Sequence, residues 1–351
     1  MHVDYIIVGQ GIAGTILAQT LLQHNKKIAV VDDWNYSSSS KVAAGLYNPI
    51  VFKRLTKSWM ADELVPFTED FYSEMGITLG ETFLHKQPIV KLFSNKEEQE
   101  FWMKQSQKTE LKAFLSDKIK INFPEYINGI EGGCEIKRSG YVDVKKMLIL
   151  FRTLLEKNNS LIPQRFDYSR LMIRSDFVQY EGVQAAKLIF CEGHKTSQNP
   201  FFNFVSLKPA KGEVLTIQTT TPLFYGKEEH SISKGIFILP LGNNTYKVGA
   251  TYEWKELNEV PTESAKKEII DKLEKIISVP FEIIKHEAGI RPAAIDRRPI
   301  IGLHPSHKTL GIFNGLGTKG IMLAPYWSKQ FVNYLDGKMI LPDEVNVNRL
   351  T

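Results

Sequence analysis

A glycine pattern near the amino-terminal end constrains the fold more than any other feature of this sequence. Residues 5–9 read YIIVG, a run typical of a strand that is buried on both faces. The residues from Ile12 to His24 have the apolar periodicity of a helix, and residues 27–33 read KIAVVDD, a second strand of the same kind. Between the first strand and the helix lie the glycines of a G-x-G-x-x-G pattern, Gly9, Gly11 and Gly14. This order predicts a βαβ unit and hence an α/β doubly wound sheet.

The glycine turn predicts a dinucleotide-binding site. In such a turn the first glycine permits a tight bend, the second lets the backbone approach a pyrophosphate, and the third lets the helix pack on the strand. Asp32, at the end of the second strand, is placed to accept hydrogen bonds from ribose hydroxyls, and Asp33 could replace it. An acid there disfavours a 2′-phosphate and so argues against NADP, but FAD and NAD both stay open. The predicted contacts are Gly9, Gly11, Ile12, Ala13, Gly14, Asp32 and Asp33.

Further along the chain, the pattern of elements predicts two domains. A helix is expected over residues 58–75, and from about residue 81 short strands surround a charged helical segment. A helix near residue 150 and an apolar strand over residues 185–193 return to the first sheet, and antiparallel strands follow, with a turn at residues 242–244. Thr262 is suited to cap a helix that reaches Ile277.

The predicted domain boundaries follow from these changes in pattern. We expect a discontinuous, Rossmann-like α/β domain of residues 1–80, 140–203 and 286–351. The remaining residues, 81–139 and 204–285, are expected to form a mainly antiparallel α+β domain that binds the substrate.

Charge, cysteine content and hydropathy exclude several classes of protein. Forty-four Lys and Arg residues against thirty-nine Asp and Glu give a net charge of +5, which is modest for a dedicated nucleic-acid binder. Cys134 and Cys191 form no C-x-x-C pair, so neither a disulfide framework nor a metal site is predicted. No apolar run approaches the roughly 20 residues that span a bilayer, and the amino-terminal residues lack the features of a signal peptide. These features predict a cytoplasmic protein without a membrane span; they leave its oligomeric state open.

Five further motifs occur in the order found in one known family. They are KVAAGLYNP at residues 41–49, GYVD at 140–143, KGEV at 211–214, GIRPAAIDRRPIIG at 289–302 and FNGLGTKGIMLAP at 313–325. Together with the glycine pattern, they resemble the D-amino-acid oxidase superfamily over nearly the whole chain. The resemblance is greatest to glycine oxidase, sarcosine oxidase and the flavin domain of the bifunctional enzyme of tRNA 5-methylaminomethyl-2-thiouridine synthesis.

The resemblance implies FAD, held non-covalently between the two domains. A loop beside the pyrophosphate and flavin would comprise Ala43, Ala44, Gly45 and Leu46. A turn after the returning strand would contribute Gly193, and a helix opening near Thr318 would direct its positive end at the flavin pyrimidine, where reduction leaves negative charge. The contacts predicted at this helix start and in the turn before it are Asn314, Gly315, Gly317, Thr318, Lys319, Gly320 and Ile321. Lys319 could instead be solvated.

Arg291 matches the family's arginine that binds the substrate carboxylate. The planar guanidinium suits a carboxylate because it pairs bidentately, although a surface or inter-domain salt bridge is the alternative role. Phe237, Tyr246 and Tyr252 are candidates for the wall of the substrate site. Sheet packing is the alternative for each of them, and the preferred one for Tyr246.

The resemblance therefore implies oxidation of the C–N bond of a small amino acid or amine by hydride transfer to flavin N5. Oxygen or another electron acceptor would be the second substrate. Two alternatives stay open: a tRNA-modifying oxidoreductase acting on a carboxymethylaminomethyl uridine, and a flavin-binding protein without turnover. A basic and aromatic stretch could line an entrance for an anionic or RNA-linked substrate, or form a solvated helix start. Its residues are Lys53, Arg54, Lys57 and Trp59.

Overall fold

A computed structural model describes residues 1–34, 38–128, 130–224 and 230–351 of the chain. Part of the serine-bearing loop after the second strand, residues 35–37, lies outside these ranges. The helices are α1 Ile12–Gln23, α2 Ser39–Val42, α3 Ala61–Leu79, α4 Lys96–Ser106, α5 Val144–Lys157, α6 Glu263–Leu273 and α7 Gly320–Leu335. No described helix is both long enough and apolar enough to cross a membrane.

The larger sheet is built around two long parallel strands. Within the described residues it has eight strands: β1 His2–Val8, β2 Ile28–Val31, β10 Leu161–Ile162, β11 Met172–Ile173, β12 Val178–Tyr180, β13 Val183–Phe190, β19 Ile300–Leu303 and β20 Leu310–Asn314. Strand β1 pairs in parallel with β2 on one side and β13 on the other, and β13 pairs in parallel with β20. The predicted βαβ unit is confirmed.

Both faces of this sheet are buried, as the unbroken apolar runs predict. Tyr5 and Ile7 of β1 pack into a cluster with α1, α3, α5 and α7, whereas Ile6 and Val8 pack into a second cluster on the opposite face. The carboxyl ends of β1, β2, β13 and β20 consequently meet at one edge, where ligands of doubly wound sheets bind.

The second sheet is antiparallel except for one pair of strands. Within the described part of the chain it comprises β7 Ile89–Leu92, β8 Gly133–Ile136, β14 Ala210–Thr219, β15 Ser231–Lys234, β16 Ile236–Gly242, β17 Thr245–Gly249 and β18 Phe281–Arg291. Only β7 and β15 of these run parallel. Helix α6 packs on one face through Ile269 and Leu273, and the other face, here called the inner face, contacts α2. The predicted mixture of an α/β and an antiparallel sheet is confirmed.

Short strands connect the two sheets. Three of them, β3 Leu46–Tyr47, β6 Leu84–Lys86 and β9 Gly140–Val142, pair with one another, and β4 Ile50–Val51 pairs with β5 Thr56–Lys57. The β4–β5 hairpin leads directly into α3.

Two helix boundaries differ from the prediction, and one strand spans a predicted domain boundary. Helix α3 begins at Ala61 rather than at residue 58, because Met60 adopts φ +53°. Helix α6 ends at Leu273, and the apolar residues up to Ile277 form a buried turn whose last residue bridges to Ile127. Strand β18 pairs with β14 along its whole length and so crosses the predicted domain boundary between residues 285 and 286. We therefore propose that the boundary follows Arg291.

Candidate active site

A cavity of about 640 Å³ opens at the carboxyl edge of the first sheet. Its walls come from the glycine turn, the end of β2, the start of α2, residues 164–168, residues 191–195 and the start of α7. The predicted residues that line it are Gly9, Gly11, Ile12, Ala13, Asp32, Asp33, Gly193, Asn314, Gly317 and Gly320. Residues predicted from distant parts of the chain thus meet at one site.

Glycine is needed at the three positions of the turn for different structural reasons. A Cβ atom on Gly14 would lie 1.9 Å from the carbonyl oxygen of Gly9, and one on Gly9 would lie 2.7 Å from the carbonyl oxygen of Cys191. Both glycines therefore permit the close packing of α1 on β1 and β13. A Cβ on Gly11 would meet only the side chain of Ser40, at 3.1 Å from its hydroxyl oxygen. The lack of a side chain at Gly11 leaves the backbone open to the cavity, as a bound pyrophosphate requires.

Asp32 is held rigidly at the end of β2. Its Oδ2 accepts from the backbone N–H of Gln10 at 2.8 Å, and its Oδ1 accepts from the N–H of Trp34 at 2.8 Å. Arg152 of α5 donates to the same Oδ1 at 3.3 Å and to the side chain of Gln10 at 3.0 Å. Sequence reasoning missed Arg152, because it lies on a helix far along the chain and belongs to no motif.

The start of α2 adds a hydroxyl that the sequence analysis did not assign to the site. The N–H of Ile12, at the start of α1, donates to Oγ of Ser40 at 3.0 Å. Lys41 lies with its ammonium 3.9 Å from the centre of the Trp34 ring, and burial lowers the pKa of its ammonium group. Hydroxyl, amide and ammonium donors at the start of a helix are suited to phosphate oxygens. The serine-rich composition of this loop was the available signal.

Glu192 is a second residue that sequence reasoning missed. The Tyr168 hydroxyl and the Asn199 amide donate to its two carboxylate oxygens, and the carboxylate lies in the cavity wall. Burial raises the pKa of Glu192 to about 7 in spite of both donors. Nearby, burial and Lys195 lower the pKa of His194 to about 4, so this imidazole is neutral at pH 7.

The raised pKa of Glu192 predicts a specific pH dependence of stability. Between its ordinary pKa and about 7, the folded state keeps a proton that the unfolded state has released, so the free energy of unfolding falls as the pH rises through this window. The fall is at most about 3 kcal/mol. We expect the unfolding free energy of Glu192→Gln, measured with urea, to rise relative to that of the parent protein by up to about 3 kcal/mol between pH 5 and pH 8, whereas Glu97→Gln, at an exposed position of α4, keeps a constant difference from the parent. The same slope in both variants would contradict the prediction.

Arg291, the last residue of β18, has a desolvated guanidinium. Its Nη1 donates to the carbonyl oxygens of Lys211 and Thr251 at 3.4 and 3.3 Å, and the ring of Tyr252 covers it at 4.4 Å. A Cβ on Gly212 would lie 2.0 Å from Nη2 of Arg291. The guanidinium therefore packs against the backbone of Gly212, where any side chain would collide with it. Burial lowers the pKa of Arg291. No carboxylate of the described residues pairs with it, so the salt-bridge alternative finds no partner there.

The three aromatic candidates occupy different environments. Tyr246 is buried among the residues beneath α6, and its hydroxyl oxygen accepts from the N–H of Leu223 at 2.9 Å, so it packs within the sheet. Phe237 is half-buried beside Gly249 on the inner face, opposite its core-facing neighbours. Tyr252 lies exposed over Arg291. Of the three, Phe237 and Tyr252 lie where a substrate could contact them.

The inner face also carries Lys247, which sequence reasoning missed. Its ammonium donates to the carbonyl oxygens of Val42 and Ala43 at 3.2 and 3.4 Å, and burial lowers its pKa. The loop of Ala43, Ala44, Gly45 and Leu46 is thereby attached to the second sheet. Gly45 has φ +71°, and a Cβ there would lie 1.9 Å from the carbonyl oxygen of Val142, so this loop needs glycine for packing as well.

Behind Gly212, on the opposite face of β14, lies a buried ionic cluster. Nζ of Lys211 lies 3.3 Å from Oε1 of Glu213, and Nε2 of His286 lies 2.8 Å from Oε2 of the same carboxylate. Glu213 also accepts from the N–H of Thr262, the N-cap of α6, at 2.8 Å. This cluster holds the loop between β17 and α6, which carries Tyr252, at two points. The backbone of Lys211 pairs with that of Glu253, and Glu213 binds Thr262.

The residue before α7 is a partly buried lysine. Lys319 donates to Oγ of Ser58, and burial lowers its pKa to about 8. Asn314 donates to the carbonyl oxygen of Gly193 at 2.8 Å and holds the turn after β13. Gly315, Thr318, Lys319 and Ile321 lie beside the cavity rather than in its lining.

The basic and aromatic stretch before α3 is only partly solvated. The Trp59 ring stacks on Trp327 at 5.6 Å, and the guanidinium of Arg298 covers it at 4.3 Å. Lys57 pairs with Asp62, whereas Lys53 and Arg54 are exposed on the β4–β5 hairpin. Trp59 therefore packs between α7 and residue 298.

Comparison with known proteins gives consistent matches. The model of a family described as FAD dependent oxidoreductase matches residues 4–333. The chain is 23% identical over 362 aligned positions to a glycine oxidase from Bacillus licheniformis, covering 96% of this chain and 94% of that protein. It is 21% identical over 348 positions to the tRNA 5-methylaminomethyl-2-thiouridine biosynthesis bifunctional protein of Marinobacter nauticus, covering 91% of this chain and 53% of that protein. The chain thus spans about half the length of that relative. The crystal structure of glycine oxidase from Bacillus cereus superposes with a TM-score of 0.77 at 20% identity, covering 96% of each chain.

Proposed function

Because the chain belongs to the DAO family of FAD-dependent oxidoreductases, we propose that it oxidises the C–N bond of a small amine or amino acid that carries a carboxylate. FAD is its cofactor, and an enzymatic redox reaction follows from the family. The identity of the substrate and the roles of individual residues are proposals.

The observation that carries this proposal is the desolvated guanidinium of Arg291. A desolvated cation without an acidic partner is costly unless a ligand supplies the counter-charge. The two carbonyl oxygens that it contacts occupy one nitrogen and leave donors of the planar fork for a carboxylate. Tyr252 and Gly212 confine the plane of the guanidinium, so a bound carboxylate would be oriented as well as attracted.

The residues of the cavity fit FAD. Gly11 leaves the backbone open for the pyrophosphate, the N–H of Ile12 and the hydroxyl of Ser40 lie beside it, and Asp32 is positioned for ribose hydroxyls. The start of α7 would direct positive charge at the flavin, with the partly buried Lys319 beside it. When bound, FAD supplies the acceptor for the two electrons that leave the substrate.

The chain's own part in the reaction is binding and orientation. Arg291 would hold the carboxylate so that the carbon next to the nitrogen faces the cofactor, and Phe237 would limit movement of the substrate on the inner face. Loss of a hydride and a proton converts the C–N single bond to an imine, which water hydrolyses to a carbonyl compound and an amine. Oxygen or another acceptor then takes up the two electrons.

An anaerobic spectrum tests this function. We expect the flavin absorption of the purified protein to bleach on addition of at least one compound from a panel of amino acids and N-alkyl glycines. The methyl esters of the same compounds serve as controls, since they lack the anion, and are expected to bleach the flavin far more slowly. Equal rates for acid and ester would rule out the carboxylate role, and absence of bleaching throughout the panel would rule out the proposed substrate class.

A second candidate function is oxidation of a carboxymethylamino group on tRNA. Lys53 and Arg54 favour it, because both are exposed on a hairpin next to Ser58, the partner of Lys319. Binding of tRNA that weakens steeply with salt, and weakens further in Lys53→Glu/Arg54→Glu, would support this substrate. Equal binding by both proteins at all salt concentrations would exclude the hairpin as the contact.

A further inference from the structure

The KGEV motif, residues 211–214, lies directly behind the guanidinium of Arg291. Its alternate residues face opposite sides of β14: Gly212 packs against the guanidinium, whereas Lys211 and Glu213 form the ionic cluster on the other face. These two side chains are only 1% and 2% exposed. A buried ion pair contributes little net stability, because desolvation of both charges offsets their attraction. Its place behind the site therefore points to a role in fixing geometry.

The backbone of the motif binds the residues that contact the guanidinium. The carbonyl oxygen of Lys211, which accepts from the guanidinium, also accepts from the N–H of Glu253 at 3.0 Å, and the N–H of Lys211 donates to Glu253 at 2.8 Å. Two residues along β14, the N–H of Glu213 donates to Oγ1 of Thr251 at 3.0 Å, and the N–H of Thr251 donates back to Glu213 at 3.3 Å. Tyr252 lies between these two partners in the chain, so both of its neighbours are bonded to the motif.

The side chains of the motif hold the rest of the loop between β17 and α6. Nζ of Lys211 donates to Oδ1 of Asn258 at 3.0 Å and to the carbonyl oxygen of Val260 at 2.5 Å. The carboxylate of Glu213 accepts from the N–H of Thr262 at 2.8 Å and from its hydroxyl at 3.0 Å. The ammonium and the carboxylate lie 3.3 Å apart, so each supplies the counter-charge of the other. Loss of the carboxylate would leave a buried ammonium without this counter-charge and would release the far end of the loop.

We propose that Glu213 is a positioning residue of the carboxylate site. Its contacts hold the loop so that Thr251 and Tyr252 keep the guanidinium of Arg291 in one plane. This inference rests on the proposed function, because it takes Arg291 as the residue that binds the substrate carboxylate. A guanidinium that can turn presents its donors to a carboxylate for only part of the time, so binding and orientation of the anion weaken together.

The preference for an acid over its methyl ester measures this positioning. The quantity is the ratio of kcat/KM for a substrate identified by flavin bleaching to kcat/KM for its methyl ester. We expect Glu213→Gln to lower this ratio about 10-fold through kcat/KM for the acid, because the ester has no anion for the guanidinium to hold. Glu256→Gln, at an exposed position of the same loop, should leave the ratio and the activity unchanged. An unchanged ratio in Glu213→Gln, or an equal loss for acid and ester, would overturn the proposal.

A double variant separates positioning from stability. Glu213→Gln alone is expected to lower the Tm, because it leaves a buried ammonium without its counter-charge. Lys211→Met/Glu213→Leu replaces the whole pair by apolar side chains of similar size and should keep a Tm near that of the parent protein. It lacks the side-chain contacts with Asn258, Val260 and Thr262, so we expect its ratio to stay about 10-fold below the parent value. The parent ratio in this variant would show that the backbone contacts suffice and that Glu213 has no positioning role.

Binding of an anion that cannot be oxidised separates this inference from the proposed function. (Methylthio)acetate carries a carboxylate but has no C–N bond. We expect its Kd for the FAD-loaded protein, measured by the change in flavin absorption, to rise about 10-fold in Glu213→Gln at unchanged FAD content, because Glu213 does not line the cofactor cavity. If no amine is oxidised but this rise is found, the proposed function is wrong and the positioning role stands. An equal Kd in both proteins, or no binding to the parent protein, would overturn the positioning role.

Discussion

Arg291→Lys is expected to lower kcat/KM for every carboxylated substrate roughly 30-fold or more. A lysine keeps the charge but loses the planar fork, and its shorter reach to the carboxylate leaves a desolvated anion with a single donor. Leaving a desolvated carboxylate without one of its two hydrogen bonds costs about 2–3 kcal/mol, which corresponds to a factor of about 30 to 150 in kcat/KM. Steady-state kinetics with the substrates identified by flavin bleaching provide the measurement.

Two controls distinguish a lost contact from a damaged protein. Arg297→Lys changes an exposed arginine in the same segment and is expected to leave kcat/KM unchanged. The FAD content of Arg291→Lys should equal that of the parent protein, because Arg291 does not line the cofactor cavity. The carboxylate role would be refuted by a variant with full FAD content and unaltered kcat/KM for the acids.

Gly11→Val is expected to abolish FAD binding while leaving the fold intact. Gly11 has φ −78°, a conformation open to any residue, and a Cβ added there would meet only the movable side chain of Ser40. The free energy of unfolding of the cofactor-free protein should therefore fall by no more than about 1 kcal/mol. The same side chain would occupy the space that a pyrophosphate needs, so the ratio of flavin to protein absorbance after dialysis should fall below one-tenth of its original value.

Gly14→Val is the matched contrast. Its Cβ would lie 1.9 Å from the carbonyl oxygen of Gly9, so the substitution forces α1 away from β1 and should cost several kcal/mol in unfolding free energy. A Gly11→Val protein that retains FAD would refute the pyrophosphate assignment. A Gly11→Val protein as unstable as Gly14→Val would show that Gly11 serves packing instead.

The parts of the fold that could be predicted from sequence are those governed by local periodicity. The strand, glycine turn and helix at residues 2–23 obey rules that act within a few residues, and the structure confirms them. The end of α6 was mispredicted for a related reason: Ile276 and Ile277 continue the apolar pattern, but they are buried in a turn that packs against Ile127. Periodicity cannot distinguish an apolar helix end from an apolar turn.

The parts of the site that escaped prediction depend on contacts between distant residues. Arg152 reaches Asp32 from α5, and Tyr168 and Asn199 donate to the carboxylate of Glu192 from other parts of the chain. Neither residue lies in a sequence motif that indicates a function. Arg291 could be singled out only because its neighbours match a family pattern, and its desolvation, which is the argument for its role, appears only in three dimensions.

The discontinuity of the first sheet affects when the protein can acquire its cofactor. Gly9 and Asn314 line the same cavity, although a ribosome makes the first of them well before the second. A nascent chain that has the glycine turn, α1 and β2 still lacks β20 and the start of α7, which complete the cavity wall. Loading with flavin therefore follows translation of the region around residue 320, and a chain stalled or cleaved before that point is expected to be colourless.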